Sequence, residues 1–117
     1  MAEALIYSLC LATDWQAALA LGEYRGSADD RRDGFLHFST AAQVAESAAR
    51  HRAGVPDLML LCVDPASLGP ALRWETSRGG QLFPHLYAPL AVKNVTRAVP
   101  LALGPDGRHV FPRLPEH

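Results

Sequence analysis

Six consecutive apolar residues, Leu58-Met59-Leu60-Leu61-Cys62-Val63, lie between Pro56 and Pro65. The prolines leave no room for a helix of useful length. The run is therefore the best candidate for a central strand of a sheet, and the other elements must supply the layers that bury it. With 117 residues the chain fits one domain, with an expected radius of gyration of roughly 13 Å. An apolar fraction of 49% is too high, and a net charge of −1 too small, for a disordered chain. That charge also gives no long-range field to attract nucleic acid or an anionic membrane.

Other segments sort around this strand. Ala4 to Cys10 reads as a first strand. Thr13-x-x-Gln16 has the form of a capping box that opens a helix ending at Gly22, with Trp15, Ala18 and Leu19 on its buried face. Glu23 to Arg32 is polar and reads as a loop carrying a local basic patch (Arg25, Arg31, Arg32), and Asp33-Gly34 is a turn signal. Phe35 to Ser39 reads as a short strand. Thr40-x-x-Gln43 opens a second helix, with Val44 and Ala48 on one face and Gly54 and Pro56 beyond its end. Strands are expected over Leu72–Glu75, Leu82–Tyr87 and Val92–Leu101. Residues 104–117 contain three prolines and read as a loosely attached arm to a single domain at 1–103. Two helices precede most of the strands, which predicts an α+β fold and not a doubly wound parallel sheet. Cys10 and Cys62 sit in apolar runs and read as buried free thiols. No leader pattern or membrane span is visible, so a reduced, cytoplasmic setting is expected.

The common chemical signatures are absent: no Gly-x-Gly-x-x-Gly, no phosphate loop, no His-Glu-x-x-His, no Cys-x-x-Cys and no Gly-x-Ser-x-Gly. Three clusters remain. In the first, His37 alternates with Leu36 and Phe38 and leads into Ser39 and Thr40 at a helix start, where free N–H groups suit an anion. The alternative is a satisfied core histidine beside a plain helix cap. The second is Arg73-Trp74-Glu75-Thr76-Ser77-Arg78-Gly79-Gly80. Glu75 would act as a hydroxyl acceptor or general base. Arg73 and Arg78 would face an anion, with Gly79 and Gly80 allowing close backbone approach. The alternative is an exposed strand face with a weak ion pair. In the third, Pro84 keeps Phe83 extended and presents His85 and Tyr87 on one side for hydrogen bonding and stacking, or Tyr87 simply anchors a loop. His51, His109 and His117 read as solvated.

Taken together, Ile6-Tyr7-Ser8-Leu9, Gly34-Phe35-Leu36-His37-Phe38-Ser39-Thr40, Leu72-Arg73-Trp74-Glu75, Ser77-Arg78-Gly79-Gly80 and Phe83-Pro84-His85-Leu86-Tyr87 resemble a small bacterial family catalogued as domain of unknown function 952. The resemblance covers roughly residues 4–100. That family has been grouped by fold with ADP-ribosyltransferase-like proteins, which bind NAD in a cleft between two small sheets. It therefore implies a split β-sheet with two helices in the N-terminal half, and NAD or a related nucleotide as the ligand. The family pattern carries His where this chain has Ser8, which can hydrogen-bond but supplies no imidazole.

The resulting expectation is a small-molecule site in which Glu75, His37 and His85 are catalytic. Ser8, Ser39, Thr40, Arg73, Arg78, Gly79, Gly80 and Tyr87 would bind the ligand, and no metal would be held. The reaction class would be ADP-ribosyl or glycosyl transfer. Two alternatives are a non-catalytic binder of a small anionic metabolite and a metal-dependent hydrolase built on His37, His85 and Glu75.

Overall fold

The computed structural model describes residues 4–114, with the side chain of Arg78 outside the described set. Its Cα radius of gyration is 13.4 Å. The proline-bracketed run forms β5 (Leu58–Val63), flanked on one side by β1 (Ile6–Leu11) and on the other by β9 (Val95–Leu103). β4 (Ser39–Thr40) and β10 (His109–Val110) complete an antiparallel sheet of order β10-β9-β5-β1-β4. Strand alternation then divides the core. Leu61 and Val63 pack with Ile6, Cys10, Trp15, Phe38 and Leu86 on one face. Leu58, Leu60 and Cys62 pack with Tyr7, Val44 and Leu101 on the other.

Each face needs its own cover. α1 (Ala12–Leu21) supplies Trp15 and Ala18 to the first, and α3 (Val44–His51) supplies Val44 and Ala48 to the second layer. The remaining strands form two smaller antiparallel sheets. β3 (Leu36–His37), β7 (Leu82–Leu86) and β6 (Leu72–Thr76) stand in the order β3-β7-β6, and β2 (Glu23–Tyr24) pairs with β8 (Leu90–Ala91). The molecule is thus a compact mixed α/β domain with curled antiparallel sheets and few helices. Among the described residues no helix is long and apolar enough to cross a membrane.

Several sequence expectations change. The Thr13–Gln16 capping box does not form: β1 runs into the helix at Ala12, and Leu11 at the N-cap makes no side-chain cap. Leu19 is 47% exposed, because the buried stripe of α1 is only as wide as Trp15 and Ala18. The expected loop at Glu23–Arg32 contains β2 and a third helix, α2 (Ala28–Asp33), so the N-terminal half holds three helices and not two. Ser27 caps α2 by accepting from the Asp30 N–H, and Asp30 accepts in return from the Ser27 N–H. The expected single strand Phe35–Ser39 is two strands. β3 pairs with β7 in the small sheet, β4 pairs with β1 in the large one, and Phe38 lies between them, its N–H donating to the Pro84 carbonyl. Finally, the arm turns back at Gly104, and β10 pairs with β9. His109 is buried to 9% exposure, with Nε2 2.7 Å from the Val55 carbonyl, and is not solvated.

Candidate functional site

The split at Phe38 sends two sheets apart, and a cleft of about 520 Å³ opens where they diverge. Its walls come from β1, α2, β3, β4, α3 and β7. α2 carries the acidic part. Asp30, buried, accepts from the Ser27 N–H at 2.8 Å, the His37 N–H at 3.0 Å and the His37 ring Nδ1 at 2.5 Å. Asp33, one turn on, lies 3.0 Å from His37 Nε2. Both ring nitrogens of His37 therefore face carboxylates, which favours the imidazolium. The Asp30 hydrogen bond raises the imidazole above its ordinary value, burial opposes it, and Asp33 adds to the rise. Burial works to raise the Asp30 carboxyl. The bonds from the His37 ring and the Ser27 and His37 amides outweigh it and hold the acid below its ordinary value.

Gly26 makes this arrangement possible. It sits at φ +99°, and a Cβ there would come within 2.6 Å of Leu36 Cδ2 and 2.7 Å of Asp30 Cβ. Only a residue without a side chain lets the chain pass this close to the carboxylate.

The small sheet supplies the rest. In its register Arg73, His85 and His37 stand opposite one another across β6, β7 and β3, and direct partners share a face. Leu72, Leu86 and Leu36 form the matching row on the core side. On the polar face, Glu75 Oε1 accepts from Tyr87 Oη at 2.7 Å and lies 2.9 Å from His85 Nδ1. The Tyr87 and His85 contacts hold the Glu75 carboxyl below its ordinary value, so it is ionised at neutral pH. An ionised acceptor fixes the proton of the ring on Nδ1 and leaves the lone pair of the neutral ring on Nε2. Phe35 stacks on His85 with centroids 4.0 Å apart and also meets His37 and Tyr87. The Arg73 guanidinium lies 4.7 Å over the Tyr87 ring.

His37, His85, Glu75, Tyr87 and Arg73 are therefore one connected cluster. His37, His85 and Ser39 line the cleft, while Glu75, Tyr87 and Arg73 flank it and join it through His85. Tyr87, Phe35, Arg25 and Arg31 line a second, more open groove of about 260 Å³ that shares Asp30 with the cleft. The other expected residues stand apart. Ser8 faces the opposite side of β1 from the cleft-lining Tyr7 and Leu9, is buried, and donates to the His37 carbonyl at 3.2 Å. Its role is to tie β1 to β3, because strand alternation turns it inward. The Thr40 N–H is already taken by Gln43 Oε1 at 3.0 Å, so it is no open anion donor. Ser39 Oγ is 3.1 Å from Ser47 Oγ. Gly79 and Gly80 adopt positive φ in an exposed turn that lies outside the cleft. The Arg78 side chain lies outside the described residues.

Sequence reasoning missed Asp30, Asp33, Phe35 and Tyr7. The signal for the first two was present in Ser27-x-x-Asp30 followed by Gly34, a capped helix with a glycine stop. Among the described residues no three His, Cys, Asp or Glu side chains converge as a metal site. His37, His85 and Glu75, proposed above as hydrolase ligands, spend their contacts on aspartates, on a tyrosine and on each other.

Fold and site together define a small α+β domain with a histidine-bearing cleft between a large and a small antiparallel sheet. The family model described as "Protein of unknown function (DUF952)" matches residues 9–98, and the chain belongs to that family. It is similar to the crystal structure of protein CC0527 from Caulobacter crescentus, a structural genomics target. The two are 47% identical over 91% of this chain and 93% of that one, with a TM-score of 0.89. The solution NMR structure of CC0527 gives 48% identity over 89% and 90%, with a TM-score of 0.81. No curated protein matches the chain.

Proposed function

We propose that the cleft and its flanking groove bind a nucleotide-class ligand, and that His85 transfers a proton at a hydroxyl of its sugar. The observation that carries this reading is the Glu75 carboxylate, which orients both His85 and Tyr87 through one oxygen. A carboxylate that fixes a ring at Nδ1 leaves Nε2 to act as a general base, and it stabilises the imidazolium that forms. His85 lines the cleft, which supports a role for its ring toward a ligand bound there.

The ligand class follows from what surrounds the dyad. Arg73, Arg25 and Arg31 lie on the flank with Tyr87 and Phe35, a combination of cation and ring that suits phosphate and base. In the cleft the charges of Asp29, Asp30 and Asp33 are balanced by Arg32, Arg52 and His37, which suits a neutral, hydrogen-bonding sugar better than a second anion. A volume near 520 Å³ is of ligand-pocket size. ADP-ribosyl or glycosyl transfer is the reaction class consistent with this placement, and NAD is one member of the ligand class. Ser8 takes no part.

A second reading, a non-catalytic binder of a small anionic metabolite, is favoured by one fact: Glu75 Oε1 is already filled by Tyr87 and His85. A thermal-shift screen against NAD, ADP-ribose, mononucleotides and small carboxylates decides between them. A nucleotide at ~100 times its dissociation constant stabilises by about 2.7 kcal/mol. No shift from any nucleotide refutes the first reading, and a shift from carboxylates alone establishes the second.

A further inference from the structure

We infer that the outer edge of β6 is an interface for a second copy of this chain, paired antiparallel and centred on Trp74, which joins two three-stranded sheets into one. The inference goes beyond the ligand reading of the cleft and does not depend on it.

Of the strands that end a sheet among the described residues, β2, β3, β4, β8 and β10 have two residues each. β6 ends its sheet with five, in unbroken register with β7 and without a proline. Short edges, prolines and bulges guard against strand pairing, and β6 has none of these. Its ladder shows which backbone groups are left over. The Tyr87 N–H donates to the Ala71 carbonyl and the Ser77 N–H to the Gln81 carbonyl, while Pro84, opposite Trp74, has no N–H to give. Antiparallel alternation therefore turns the backbone groups of Arg73 and Glu75 toward β7 and those of Leu72, Trp74 and Thr76 outward. The Leu72 N–H turns back to the Gly69 carbonyl. This leaves the Leu72 carbonyl and both backbone groups of Trp74 and Thr76 facing the open edge.

The side chains choose both partner and register. Trp74 and Leu82 are 46% and 53% exposed. Trp74 shares a face with Thr76, whose register partner is Leu82, so both large apolar side chains lie on one face of the edge. The other face carries Arg73 and Glu75, immediately before and after Trp74. When a second β6 pairs about Trp74, each Arg73 stands opposite the Glu75 of the other copy. These are the pairs without backbone hydrogen bonds, where side chains approach most closely. The two Trp74 rings meet on the opposite face. Each Trp74 N–H donates to the other Trp74 carbonyl, and each Thr76 N–H to the other Leu72 carbonyl. A pair centred on Arg73 would set Arg73 against Arg73, and one centred on Glu75 would set Glu75 against Glu75, so charge selects the register. The pattern is its own complement, as a twofold contact between identical chains requires. It also sets the second copy's Arg73 beside the carboxylate that holds His85 and Tyr87.

Sedimentation equilibrium over about 1 to 500 µM chain, a range suited to a small interface, tests this. The expected mass rises from 12.7 kDa toward twice that value. Thr76→Pro removes an outward N–H and no bond to β7, and Arg73→Glu sets like charges face to face in both pairs. Each is expected to weaken association by about 10-fold or more. The double variant Arg73→Glu, Glu75→Arg restores opposite pairs, and its association returns to within about 3-fold of wild type. Circular dichroism confirms the fold of each variant. Amide exchange of the wild type needs no variant and decides the matter where one does not fold: the Trp74 and Thr76 amides slow by about 10-fold or more as concentration rises through the association range. A wild type that stays monomeric throughout, or a dimer that forms equally well with Thr76→Pro, overturns the inference. So do Arg73→Glu association equal to wild type, a double variant as weak as the single one, and Trp74 and Thr76 amides that exchange at one rate at every concentration.

Discussion

Replacing Asp30 by Asn keeps the shape of the side chain and removes its charge, which makes it the sharpest perturbation of the site's foundation. Asp30 closes the capping box of α2, accepts the His37 amide and holds the His37 ring. Weakening the cap costs about 1 kcal/mol. Losing the charge-assisted bonds to His37 costs about 1–2 kcal/mol more, at the low end of the range for such bonds because the ring is 42% exposed. A total near 2–3 kcal/mol lowers the melting temperature of a domain this size by roughly 10 °C. The pH dependence is the stricter test. Asp30 is held below its ordinary value in the fold, so its contribution is present above about pH 4 and fades as pH falls through the lowered native value. His37 is held above its ordinary value, so its contribution is complete below about pH 6.5 and fades as pH rises through the raised native value. The stability gap between wild type and Asp30→Asn is therefore widest between about pH 4 and 6.5, and Asp33 preserves a remnant of the alkaline limb in the variant. Urea unfolding of both proteins from pH 3 to 9 measures this gap. A gap that stays flat across the range would refute the claim that Asp30 and His37 form an ion pair in the fold.

Glu75→Gln leaves folding nearly unchanged, because the side chain is partly exposed, but it releases the His85 tautomer. Nitrogen-15 NMR of the ring then changes from a protonated Nδ1 to a mixture, and any turnover found for the wild type falls by about 10²-fold or more. Gly26→Ala forces a Cβ against Leu36 and Asp30 at a left-handed φ; a loss of about 2–4 kcal/mol is expected in chemical denaturation. Its His37 titration, followed by NMR, moves back toward the ordinary value as Asp30 is displaced. Both cysteines are buried and free, and burial pushes the Cys10 thiol up to about 12. A thiol reagent at pH 8 therefore modifies neither in the native protein and both on unfolding.

What could be read from the chain was whatever a local pattern determines. Apolar runs between prolines located β5, and alternation predicted that Leu36 and Phe38 point away from His37; both are buried. Two-residue spacing correctly placed His85 and Tyr87 on one side, where Glu75 meets both. Those properties depend on neighbours in sequence, and hydrophobic burial enforces them wherever the strand lies. The pairing of residues distant in sequence has no such local signal. His37 and Asp30 are seven positions apart, and His85 and Glu75 ten, yet only the folded register turns them into dyads. Ser8 and Tyr7 show the same limit from the other side. Both are polar residues on one strand, and which of them faces the cleft was decided by which face of β1 the second sheet covers. The break at Phe38 depended in the same way on two competing partners, β7 and β1, and it is this break that opens the cleft. The sequence by itself thus determined the longer strands, much of their apolar faces and the stock of titratable groups. Only the tertiary structure decided which groups share a proton, because a hydrogen bond requires atoms within about 3 Å and no spacing along the chain sets that distance.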